Sequence, residues 1–176
     1  FEDAAADFVI ASRLNPNDWN VFYHLGLSYF LLRDYAKAAK AYARCYELTD
    51  DDPELIAVTD WYYMTLKRLG NDEEAAKILA RITDHMNPGE NTAYYARLLM
   101  YKGLKKPEEL LSTDPEEVTA LELITMGFGI ANYFLQNGQP DKAYDLMERV
   151  VKAGDENDCY FAFAYLASKV DLAHKG

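Results

Sequence analysis

Apolar residues recur along this chain at helical spacing, in stretches broken by short polar turns. Residues 1–14 place Ala4, Phe8, Ala11 and Leu14 on one stripe. Residues 19–32 do so with Phe22, Leu25, Gly26 and Tyr29, and residues 35–48 with Ala38, Tyr42 and Cys45. The breaks between them carry start and stop chemistry: Asn15-Pro16-Asn17-Asp18, Arg33-Asp34, and Thr49-Asp50-Asp51-Asp52-Pro53. Further helices are predicted over 54–69, closed by Gly70-Asn71; over 74–86, capped by Asp72; and over 91–102, ended by Gly103. Asn87-Pro88-Gly89 is a turn. The pattern then weakens. Residues 107–111 read as a short helix, and Asp114-Pro115-Glu116-Glu117 starts a long one reaching Gln136, with a kink near Gly127 and Gly129. After Gly138-Gln139-Pro140 a helix over 141–153 turns Ala143, Met147 and Val150 inward, and a last helix spans 157–174. No useful stretch alternates with period two, so no strand is expected.

Ala4, Ala38, Ala75 and Ala143 each sit early in one of these stretches, at gaps of 34, 37 and 68 residues. The turn at residues 51–53 accounts for the three extra residues in the second gap, and the third is twice the first. A period of ~34 residues marks a helix–turn–helix unit stacked into an array. Stepping 34 on from Ala75 lands on Glu109, so the register skips there. The expected organisation is one domain over 1–176. It holds the second helix of a truncated unit (1–16), units over 19–52 and 54–89, a degenerate unit over 90–114, a unit over 115–156 and a capping helix over 157–176. Because the chain begins inside a helix pattern, it reads as an excised piece of a longer protein.

Residues 19–50 carry Phe22-x2-Leu25-Gly26-x2-Tyr29, then Ala38, Tyr42 and Cys45. This resembles the tetratricopeptide repeat family, which prefers Ala where Cys45 stands. Gly26 would let the paired helix approach closely, and Ala38 would present a small surface at the tightest crossing. The resemblance implies an all-α right-handed superhelix, degenerate toward its C-terminal end, that binds proteins without catalysis. A second set of motifs runs through Trp61-Tyr62-Tyr63, Arg68-Leu69-Gly70, Tyr95-x-Arg97-Leu98-x2-Tyr101-x-Gly103, Pro107-Glu108-Glu109-Leu110-Leu111 and Asn132-Tyr133-Phe134-Leu135. It is similar to the NlpI-like bacterial lipoproteins, in which degenerate C-terminal helices fold back and help form dimers. That resemblance implies an adaptor role, and a periplasmic location if a leader is missing from the sequence. Without one, the compartment is open between cytoplasm and periplasm.

Composition narrows the partners. The formal net charge of −11 argues against nucleic acid and anionic membrane surfaces, which need clustered Lys and Arg. No apolar run approaches the ~18 residues of a spanning helix. Half the residues are hydrophobic, and 14 Tyr, 8 Phe and 2 Trp recur at helical spacing, as packing between helices requires. Cys45 and Cys159 lie far apart, each in a predicted helix, and read as buried free thiols. His24, His85 and His174 have no ligand partner at metal spacing. Gly127-Phe128-Gly129 lies inside a helix and is no dinucleotide loop. Carboxylates gather at helix starts, where they cap and complement the dipole. No catalytic residue, metal site or cofactor is expected.

Candidate site residues come from the face that the first helix of each pair turns to the concave side. They are Tyr23, His24, Leu27 and Leu31 on the first such helix, Asp60, Trp61, Met64 and Arg68 on the second, and Tyr94, Arg97 and Tyr101 on the third. Aromatics and Arg anchor interfaces. An exposed Trp61 beside Arg68 and Arg97 would grip an extended peptide, with Arg pairing to its carboxylates. Alternatively the C-terminal helices fill the groove and the same residues are core. The groove lacks the Lys, Arg and Asn clamp of chaperone-tail binders, so that recognition is not expected. A different reading pairs two copies of the chain through Tyr160, Phe161, Phe163 and Tyr165.

Overall fold

A computed structural model describes residues 1–111 and 119–175. Among the described residues there are nine α-helices and no strand: α1 Glu2–Leu14, α2 Trp19–Leu31, α3 Tyr35–Glu47, α4 Asp52–Arg68, α5 Asp72–Ala80, α6 Thr92–Tyr101, α7 Ala120–Gln136, α8 Pro140–Glu156 and α9 Phe163–Ala173. A 3-10 turn, Pro107–Glu109, stands in place of the short helix expected over 107–111. The fold class is an all-α helical-repeat solenoid.

The helix starts follow from local chemistry. Asp18, Asp34 and Asp51 each accept a hydrogen bond from the backbone N–H three residues on, at 3.3, 3.1 and 2.9 Å. At α5 the cap is Asn71 rather than Asp72, which lies inside the first turn. Thr119 and Glu122 form a reciprocal capping box at α7. The start signal at residues 114–117 lies outside the described residues.

The end of α5 and the start of α9 differ from expectation. Helix α5 stops at Ala80, short of Met86, because the following strand of chain is taken up elsewhere. The Tyr95 hydroxyl donates to the Thr83 carbonyl at 2.7 Å and accepts from the Met86 N–H at 3.3 Å. Helix α7 runs through Gly127 and Gly129 as one element. These glycines serve close approach: a Cβ on Gly127 would stand 2.7 Å from Val150, and one on Gly129 2.0 Å from Arg97 Nε. Residues 157–162, expected as helix, form a loop in which Asp158 has φ +54° and the Cys159 N–H bonds back to the Gly154 carbonyl. Cys159 is therefore a loop residue, not a helical one.

The chain forms two compact units, residues 1–95 and 96–176. Helix α6 runs across the boundary. In the first unit α1, α2, α3, α4 and α5 pack in chain order, and every residue from 55 to 66 is buried. Tyr42 lies against Gly26, whose added Cβ would stand 2.4 Å from the ring. In the second unit α7, α8 and α9 pack on one another around Phe128, Ile130, Ala131, Ala143, Met147 and Val150. Both cysteines are free and buried. Burial pushes the Cys45 thiol well above its ordinary pKa, with Glu54 adding to the effect, so this thiol is unreactive in the folded chain.

Candidate interaction surface

Tyr23 is the hub of an aromatic wall in the first unit. Trp19 stacks on it at 4.7 Å, His24 meets it edge-on at 5.5 Å, and Tyr42 lies at 6.5 Å. The wall continues from His24 to Phe8, stacked at 5.5 Å, and from Tyr42 to Tyr62 and Tyr46. Arg81 closes its far end, 4.7 Å over the Tyr46 ring. His24 turns Nδ1 to the Asn20 carbonyl at 2.8 Å, which fixes its ring on the helix.

Tyr23 is half-buried, and its surroundings disfavour the charged form of its hydroxyl. Burial raises the Tyr23 pKa well above the tyrosine value, and Tyr94, Tyr42 and Asp60 add to it, Tyr94 also through a side-chain hydrogen bond. Tyr42 is raised for the same leading reason, burial, and then by Cys45, Tyr94 and Asp60. Both phenols are held neutral. A phenol whose folded pKa exceeds its unfolded value of ~10 contributes stability that is complete below that value and is lost as pH rises through the folded pKa. Urea midpoints should therefore hold up to about pH 10 and fall above it. A Tyr23→Phe, Tyr42→Phe double variant should show a shallower alkaline fall, and an unchanged slope would contradict this account. The Tyr42 hydroxyl is buried with no hydrogen-bond partner among the described residues. Tyr42→Phe alone should thus be neutral or stabilising by up to about 1 kcal/mol at pH 7.

The predicted groove residues divide by exposure. Tyr23, His24, Arg68 and Tyr94 in the first unit, and Tyr101 in the second, are half-buried. Leu27, Leu31, Asp60, Trp61, Met64 and Arg97 are buried, each 4 % exposed or less. Trp61, expected at the surface, meets Phe30 edge-to-face at 5.1 Å. Arg68 lies 5.5 Å over that same Phe30 ring and donates to the Tyr35 hydroxyl at 3.0 Å. In the second unit Arg97 donates from Nη1 to the Thr125 carbonyl at 2.9 Å, and the Tyr101 hydroxyl donates to the Gly129 carbonyl at 3.2 Å. Both side chains therefore hold α7. The four aromatics proposed for self-association also divide. Phe161 and Tyr160 are 71 % and 50 % exposed, Phe163 is half-buried, and Tyr165 is buried. Tyr165 packs on Gly154 and donates to Asp155 Oδ1 at 2.6 Å.

Sequence reasoning missed Phe8 and Trp19 as members of the wall. The aromatic spacing Trp19, Phe22, Tyr23 was the available signal, but the stack on His24 comes from a different helix. A depression of about 510 Å³ lies over the α1–α2 turn, lined by residues 14–18, of which Asp18 is spent on capping α2. Among the described residues no group of three or more His, Cys, Asp or Glu is placed to hold a metal ion, and no helix is long and apolar enough to cross a membrane.

Helix pairs stacked in register, with Gly and Ala at the crossings and an aromatic wall along one row, define a helical-repeat protein. Residues 1–53 match the family model of the tetratricopeptide repeat, a stretch that runs from α1 through α3 to the start of α4. The match shows similarity to this repeat over less than a third of the chain. Repeats of this family generally mediate protein–protein interactions and are typically non-catalytic. No curated protein matches the chain.

Proposed function

We propose that this chain is a non-catalytic adaptor or scaffold module that binds an extended segment of a partner protein along the concave row of its first unit. The carrying observation is that Tyr23, His24, Arg68 and Tyr94 keep solvent access in a row whose other members are buried. Rings held by stacking and hydrogen bonds give a partner contact area at little cost in side-chain ordering. The accessible row is aromatic and cationic, which suits a segment with apolar and acidic side chains. An adaptor of the NlpI-like kind is a narrower form of this reading, supported by the sequence motifs between Trp61 and Leu135.

The test is selection of 12-residue peptides from a random library, followed by titration of the selected peptides against variants. His24→Ala and Arg68→Glu should each weaken binding about tenfold, the loss typical of an anchor residue. Unchanged affinity in both would refute the placement. The exposure of Phe161 and Tyr160 favours a second reading, self-association through the α8–α9 loop. Light scattering across a concentration series tests it in the same preparations: a dimer lost in Phe161→Asp supports it, and a monomer throughout overturns it.

A further inference from the structure

Tyr23 and Phe30 both lie on α2. Their spacing of about two helical turns puts them on one face, about 10 Å apart along the axis. The two ends of this stretch differ in chemistry. At one end Tyr23 is half-buried, with Trp19 stacked on it and His24 edge-on to it. At the other end Phe30 is buried, and the half-buried Arg68 guanidinium lies over its ring. Arg68 also lies 5.5 Å over the Tyr35 ring, to whose hydroxyl it donates. Arg33, exposed on the turn between α2 and α3, stands 6.0 Å from that same ring.

Two guanidiniums are thus gathered on one phenol. The nearby lysines are matched by carboxylates: Lys37 pairs with Asp34 at 2.7 Å, and Lys67 pairs with Asp72. Among the accessible row residues Tyr23, His24, Arg68 and Tyr94, only Arg68 is permanently charged. In a chain of net charge −11, local cations decide where an acidic ligand group can sit.

The distance between the two ends then selects a backbone. A β-extended segment turns alternate side chains to one face, so that same-face residues recur at ~7 and ~13 Å. Neither matches the spacing on α2. A polyproline II segment has three residues per turn and a rise of ~3.1 Å, so residues three apart share a face at ~9 Å.

Resting on the row reading proposed above, we infer that the partner segment is polyproline II in form and carries an apolar and an acidic residue three positions apart. The apolar side chain lies on Tyr23 and His24. The acidic one joins the contacts that Arg68 already makes, with Arg33 adding charge from the turn. Arg33, outside the row itself, is thereby a specificity-determining residue that favours acid over amide. A segment already in this conformation loses little freedom on binding.

The probes are short fluorescein-labelled polyproline peptides holding one leucine and one glutamate two, three or four positions apart, in both orders. By fluorescence anisotropy with the whole native chain, the three-position peptide of one order should bind about tenfold tighter than the two- and four-position peptides. Its glutamine analogue should bind the native chain about tenfold more weakly, and Arg68→Gln should all but abolish that difference. Arg33→Gln should reduce the preference for glutamate about threefold and leave the affinity for the glutamine peptide unchanged. Equal affinity across the three spacings, a glutamate preference unchanged in both arginine variants, or no binding at about 500 μM peptide would each overturn the inference. The library selections keep the two readings apart. Selected peptides that depend on His24 and Arg68 but show no three-position spacing leave the row standing and sink this inference. Selected peptides that depend on neither residue sink both.

Discussion

Gly129→Ala is expected to destabilise the second unit by about 3 kcal/mol, the upper range for overpacking a core. The new methyl would stand 2.0 Å from Arg97 Nε, 2.5 Å from Cδ and 2.7 Å from Cζ. These are the middle atoms of the side chain, and they cannot swing aside. Arg97 is fully buried, and its guanidinium is held by the Thr125 carbonyl one turn before the glycine. Moving it would break that bond and displace a charged group inside the unit, which costs more than the clash itself. Gly138→Ala is the matched control. Nothing lies within 4 Å of its added Cβ, and its penalty comes only from φ +68°, worth about 1 kcal/mol. Urea denaturation of both variants at pH 7 checks the contrast. Midpoints lowered equally would mean that Arg97 yields, and that the close approach is not a fixed feature of the packing.

Much of the architecture was legible in the sequence because it rests on local chemistry and period. Asp18, Asp34 and Asp51 cap the helices they precede, and the glycine at position 26 receives the ring at 42. The Ala register of 4, 38, 75 and 143 is the register seen at the buried crossings, α1 excepted. What the sequence could not show depends on which groups the folded chain brings together. Tyr95 captures Thr83 and Met86, and that ends α5 early. The residues 157–162 contain helix-compatible Cys, Tyr and Phe, yet the Gly154 carbonyl holds Cys159 and turns the chain out. The candidate row falls on α2, α4 and α6, but exposure is a tertiary quantity. Periodicity distinguishes the faces of α4 only if one of them meets water, and in this structure none of residues 55–66 does. Sequence therefore gave Trp61 a place on the wall without saying that the wall there is covered.

Trp61→Ala should accordingly cost stability more than binding, by about 3–5 kcal/mol. A tryptophan gripping a peptide from an open groove would behave in the opposite way: its truncation would change stability by no more than about 0.5 kcal/mol and abolish binding. The structure favours the first outcome because Trp61 is 1 % exposed and its indole contacts Phe30 edge-to-face, a geometry worth about 1 kcal/mol beyond area burial. Phe30 in turn carries Arg68 on its face, and Arg68 bonds Tyr35. The cavity would therefore loosen the Phe30 and Arg68 end of the row, while Tyr23 and His24 keep their own stacking partners. Trp61→Phe should recover about half of the lost stability, since it restores an apolar ring but not the full volume. Fluorescence gives an independent reading, because the chain has 2 Trp residues and Trp19 is half-buried. Removing Trp61 should take away the blue-shifted, buried component of the emission and leave the red-shifted component of Trp19. Normal stability in Trp61→Ala, with emission unchanged in position, would show that the α4 face is open in solution and would return Trp61 to the binding row.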